Sequence, residues 1–306
     1  MFKKMFTLPI VRFGIILFVT LGLTLAFPAT RALADEILNL FRVQQVTVIP
    51  VDFTGLEQLT GDGALGNQFT DLISSSMTLI QEPGDPIAVT TAEEAGRLAG
   101  FNVRLPQGVS PSQIYVMDGA AFTITVDRQK AQALLDEAGR SDLVLPETID
   151  GAEISVVIPP SVSVGYDTCP APRTSYAHDA PIAARHYSDC VILVEMPSPT
   201  VNAPAEVDIE QLARIGLEFT GMTPIEAAVL TSTVDWTSTL VIPIPKDAAF
   251  YDLVTVDGVP GTLIRRSADD PLSQYALLWV KDGIIHAISA VGTDYQRALD
   301  LANSLP

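Results

Sequence analysis

Apolar and polar positions recur along this chain with enough regularity to divide it into short elements. Residues 13–27 (FGIILFVTLGLTLAF) form an uncharged, almost wholly apolar run. Residues 35–44 (DEILNLFRVQ) have the spacing of a short amphipathic turn or helix, and the alternating run 46–51 suits a strand. Thr91 with Glu94 three positions on predicts a capping box, and Gly100 ends the helix it opens. Extended runs at 114–117 and 121–126 flank Asp118 and Gly119, which predicts a hairpin. Residues 128–138 look helical, and 153–158 and 162–166 look extended.

Prolines concentrate between positions 159 and 204, where one strand at 190–195 is flanked by loop composition. The predicted organisation is therefore an N-terminal segment 1–34, an α+β part 35–160, a Pro-rich loop region 161–204 and a C-terminal part 205–306. Asp208 with Gln211 opens a helix in that last part, and Thr223-Pro224-Ile225-Glu226 combines an N-cap, a proline in the first turn and a glutamate at the third position. Strands follow at 239–242, 251–256, 262–265, 275–281 and 284–289, with Asp257-Gly258 and Asp282-Gly283 as tight turns. Thr293 with Gln296 caps a final helix ending near Ser304. Strands joined by two-residue turns run antiparallel. The expected fold is α+β, with antiparallel sheets and packed helices after an N-terminal apolar helix. A strand–Asp-Gly–strand pattern recurs at Asp118, Asp150, Asp257 and Asp282; the preference of hairpins for this dipeptide explains it more simply than duplication does.

Charge narrows the function. The 306 residues carry a net −18, with 48% hydrophobic and 18% charged side chains, which excludes a disordered chain. Lys3, Lys4, Arg12 and Arg31 fall in the first 34 residues, leaving 14 bases against 36 acids beyond them, a net −22. That surface disfavours nucleic acid and anionic membrane surfaces. The basic start, the apolar run and Ala32-Leu33-Ala34 describe a secretory signal cleaved at Ala34. Residues 10–34 read equally as a single membrane anchor with Arg31 at its outer end. Both readings place everything beyond residue 35 outside the cytoplasm.

In that compartment Cys169 and Cys190 are expected to form a disulfide around a Pro- and Ala-rich loop. His178 and His186 lie between them, but the C-x8-H-x7-H-x3-C spacing lacks the close cysteine pair of structural zinc sites, and no metal is expected. His286 sits in the strand pattern IIHAIS and reads as a hydrogen-bonded sheet residue. Glu93-Glu94 fall in the first turn of a helix and Asp269-Asp270 in a polar turn, so neither pair reads as catalytic. Gly61 to Gly66 matches G-x-G-x-x-G, which binds dinucleotides only between a strand and a helix of a βαβ unit; no cofactor is expected. G-x-S-x-G, H-E-x-x-H and P-loop motifs are missing from the sequence. Trp236 and Trp279 read as core residues.

Three stretches together carry a resemblance: ALADEILNLF at 32–41, TAEEAGRLAGFNVRLP at 91–106, and VTVDGVPGTLI at 254–264 with the last 31 residues, from Ala276 to Pro306. They resemble the extracytoplasmic domain of unknown function that follows the membrane helix in many bacterial anti-sigma-factor-like proteins. Gly100-Phe101 with Pro106, Trp279 and Ser304-Leu305 match its pattern. The resemblance covers about a third of the chain and implies an anchored sensory or accessory domain that binds a protein or envelope component. Only 12 residues precede the apolar run, far fewer than the roughly 40 of a small domain. The chain as written is thus expected to lack its own sigma-binding part, which then sits on another chain or upstream, or the domain has been reused. The contrasting expectation is a secreted hydrolase whose triad is assembled from distant residues.

Overall fold

The computed structural model describes residues 43–52, 64–171, 190–236, 238–246, 250–265, 274–291 and 294–306. Residues 10–34 with Ala34, most of the 35–44 segment, His178, His186, Asp269, Asp270 and Thr293 lie outside them. The elements in chain order are β1 (Gln45–Val51), α1 (Ala64–Ser76), β2 (Met77–Gln81), β3 (Ile87–Val89), α2 (Ala92–Ala99), β4 (Gln113–Met117) and β5 (Ala120–Thr125). Next come α3 (Arg128–Glu137), β6 (Glu153–Ile158), β7 (Ser161–Tyr166), β8 (Val191–Pro197), β9 (Thr200–Asn202), α4 (Ile209–Phe219) and α5 (Pro224–Thr233). The chain closes with β10 (Thr239–Pro245), β11 (Phe250–Val256), β12 (Val259–Arg265), β13 (Gln274–Lys281), β14 (Ile284–Val291) and α6 (Gln296–Asn303).

Helix boundaries follow local chemistry. Thr91 accepts from the Glu94 amide and Gly100, at φ +81°, ends α2 in the left-handed conformation. Glu94 reaches back to the amide of Thr90 rather than to that of Thr91, so the box is displaced by one residue. At α5 the box is complete, with Thr223 and Glu226 exchanging both bonds. Asp208 caps α4 through the Gln211 amide.

The protein is α+β, and its main sheet has eight strands in the order β11-β12-β13-β14-β8-β7-β4-β3, all antiparallel. It takes strands from each of the three sequence segments beyond residue 35. One face is covered by α2 and α6, whose Ala95, Ala99, Ala298 and Leu301 pack on Val162, Val164, Leu193, Leu277 and Ile288. The other face meets β1 and β10 through Leu240, Val280 and Ile285. Helices α4 and α5 close the outside of that pair around Ile49, Val51, Ala213, Ala227 and Trp236. The result is four layers. Strands β1 and β10 are parallel, an exception to the antiparallel expectation that follows from 187 intervening residues and several crossovers.

A four-stranded sheet, β2-β5-β6-β9, shares a corner with the large one. Here the structure corrects the sequence reading, because Asp118-Gly119 does not close a hairpin. Strand β4 pairs with β7, while β5 pairs with β6, so a long two-stranded ribbon bends from one sheet into the other. The bend sets Asp118-Gly119 against Pro159-Pro160, between the pairs Met117↔Ser161 and Ala120↔Ile158. Two prolines supply no amide donors and interrupt the ladder. A Cβ at Gly119 would lie 2.4 Å from the Ile158 carbonyl oxygen, so only glycine allows the ribbon to fold this tightly. By contrast, Asp257-Gly258 and Asp282-Gly283 are true two-residue turns, each residue with positive φ.

Candidate functional site

Across the α2/α6 face of the main sheet, adjacent strands place Val162, Glu195, His286 and Trp279 side by side in one row. Glu195 interrupts the apolar strand VILVEMP and is 0% exposed; His286 is 1% exposed. The segment 101–106 crosses above this row on its way from α2 to β4. Helix α2 lies close to it because Gly96 has no Cβ; an added one would stand 2.7 Å from the Phe101 carbonyl oxygen. Glu93 lines a shallow recess on the outer side of this contact with Ala92, Phe101 and Asn102.

Arg104 locks the segment down. Its amide donates to Glu195 Oε2 at 3.0 Å, and its guanidinium forks onto both carboxylate oxygens of Asp257 at 2.6 and 2.8 Å. The same guanidinium donates to the main-chain oxygen of Pro306. Lys281 Nζ donates to Asp257 Oδ1 at 2.7 Å and to its carbonyl oxygen at 2.9 Å, and the Asp257 amide donates to Asn303 Oδ1. Trp279 Nε1 points at Asp257 Oδ2, 3.4 Å away. One turn residue, through its carboxylate and its main chain, thus joins the β11–β12 hairpin, the end of β13, the end of α6 and the 101–106 segment. Burial pushes the Asp257 carboxyl up, but bonds from Arg104 and Lys281 outweigh it and hold the group below its usual range.

The Glu195–His286 pair is tuned the opposite way. Burial raises the glutamate to about 7, against the Arg104 amide and charge that favour its anion. Burial lowers the histidine to about 4, helped by the positive charges of Arg104 and Lys281 and opposed by Asp257. Glu195 Oε1 stands 3.7 Å from His286 Nδ1, too far for a hydrogen bond. Among the described residues, Tyr166 Oη, Glu195 Oε1 and both ring nitrogens of His286 are buried without a hydrogen-bond partner. This corrects the expectation of a hydrogen-bonded sheet histidine. His286 instead lies against the Trp279 ring, with centroids 5.0 Å apart.

The other candidates are placed as follows. Cys169 and Cys190 form a disulfide that ties the ends of the paired strands β7 and β8. Trp236 and Trp279 are buried. Glu93 and Glu94 occupy the first turn of α2. Of the glycine motif, residues 64–66 begin α1, and the flanking strands β1 and β2 belong to different sheets, so no βαβ unit surrounds it among the described residues. No group of three or more metal-ligating side chains occurs among the described residues. None of the described helices is long and apolar enough to cross a membrane. Sequence reasoning missed the Arg104–Asp257–Lys281 network; the one available signal was the glutamate inside an apolar strand. No family model, curated protein or solved structure matches the chain.

Proposed function

We propose that the chain is a noncatalytic extracytoplasmic domain, held at the membrane by residues 10–34, that binds a protein or envelope component. In this reading it is a relative of the anti-sigma-factor-like extracytoplasmic domains. The Cys169–Cys190 disulfide carries the reading, because such bonds persist outside the reducing cytoplasm. The basic start and the apolar run at 13–27 direct the same topology. Acid–base chemistry finds no ready outlet: Glu195 and His286 lie beneath the 101–106 segment, where a substrate would have to displace Arg104 to reach them. Meanwhile Ile225 and Val229 on α5 and Ile80 beside β5 expose apolar surface of the kind that partners cover.

Intact mass of the protein from its native host, recorded with and without reductant, tests this. A full-length mass that gains two hydrogens on reduction supports an anchored, exported domain. A mass for residues 35–306 overturns the tether, and an unchanged mass under reduction overturns the compartment.

A further inference from the structure

Strand β11 ends the strand order of the main sheet, with β12 as its one strand neighbour among the described residues. It is seven residues long, whereas the strand at the opposite edge, β3, has three. Monomeric proteins usually blunt such an edge with lysine, proline or a bulge. The sequence FYDLVTV contains none of these, and its ladder with β12 runs without a break from Phe250↔Arg265 to Val256↔Val259. Leu253 is 81% exposed and Phe250 60%. The single charge, Asp252, is already paired with Arg265 of β12.

Register identifies what fits this edge. The two-residue turn at Asp257-Gly258 makes Val256↔Val259 a hydrogen-bonded pair, so every second residue back along β11 turns its main-chain groups toward β12. Tyr251, Leu253 and Thr255 turn theirs outward. A second β11, run antiparallel about a two-fold axis through Leu253, pairs Leu253 with its own counterpart and Tyr251 with Thr255 on both sides. Every outward donor and acceptor of those residues is then matched. Asp252 falls opposite Val254 of the other copy, so like charges do not oppose one another, and the exposed leucines meet at the axis. We infer that β11 is a self-association edge, through which two copies of this chain join their main sheets in one continuous antiparallel sheet. The geometry is independent of whether the domain is tethered or released.

Sedimentation velocity of the full chain over a range of concentrations and salt tests the inference. The expected result is a monomer–dimer equilibrium that tightens as salt rises, because both copies are acidic. Leu253→Lys sets two ammonium groups together at the axis. Thr255→Pro deletes one outward amide without removing a bond to β12. Each variant is expected to weaken the dimer at least about tenfold, while a circular dichroism melt verifies that it is folded. A monomer at every concentration overturns the inference, and so does a dimer that both folded variants leave intact. Pairing of β11 only with an extended segment of a different protein also overturns it.

Discussion

Glu195 on β8 and His286 on β14 are direct cross-strand partners, with Oε1 3.7 Å from Nδ1 and both side chains sealed beneath the 101–106 segment. Their opposed shifts make the pair most stable holding one proton and no net charge, the arrangement that a buried site tolerates best.

A pH-dependent stability series exposes the two halves. Glu195 is raised in the fold, so its contribution is complete below pH 4.5 and is lost as pH rises through about 7. His286 is lowered, so its contribution is present above pH 6.5 and is lost as pH falls through about 4. Between pH 4.5 and 6.5 the two slopes cancel, and wild-type urea midpoints are expected to be nearly flat apart from the surface carboxylates. Glu195→Gln leaves the histidine alone, and stability then falls on acidification below pH 6.5. His286→Phe leaves the glutamate alone, and stability then rises on acidification from pH 7. Parallel profiles for all three proteins would disprove the pairing.

Two identical turns provide an internal control for the charge network. Asp257→Asn keeps a residue that tolerates positive φ but strips the counter-charge from Arg104 and Lys281, at a cost of about 3 kcal/mol. Asp282→Asn makes the same change in an exposed turn and is expected to stay within about 0.5 kcal/mol of wild type. Chemical denaturation of the two variants side by side measures the difference. Equal losses would show that the bonds to Asp257 add nothing beyond its turn conformation.

The corner of the ribbon is the third test. Gly119→Ala must push the Ile158 carbonyl away and is expected to cost about 3 kcal/mol, at the upper end of overpacking. Gly151→Ala, at φ +70° with open space around it, is expected to cost about 1 kcal/mol. Thermal melts of both variants, with the second as reference for backbone strain alone, decide whether close approach governs position 119.

Elements governed by neighbours in sequence were legible. The helix starts at Thr91, Asp208 and Thr223 and the turns at Asp257 and Asp282 rest on hydrogen bonds within a few residues, and all are present. The Asp118-Gly119 turn was misread because the same dipeptide serves a bend whose cause, Pro159-Pro160, lies about forty residues away in the paired strand. Helix α1 and strands β2 and β3 escaped notice, since β2 and β3 are short edge strands with mostly exposed side chains and little alternation. The site was least visible. Arg104, Asp257 and Lys281 are ordinary surface residues in sequence, and only the meeting of α2's exit, a hairpin turn and a strand end makes them one network.

The parallel pairing of β1 with β10 has a kinetic consequence. Gln45 donates to Thr239 across 194 positions, so the second strand of that pair is synthesised long after the first, and β14 must follow before β8 gains its inner neighbour. Contacts of such separation cost loop-closure entropy before they return any stability. The four-stranded sheet and the β3, β4, β7 and β8 part of the main sheet are complete in sequence by Asn202, but the β1–β10 pair and the β11–β14 part of the main sheet close only near the end of synthesis. Truncation from the C-terminal end is therefore expected to be as damaging as the loss of a central strand, because it removes β14, which pairs with β8 in the middle of the main sheet.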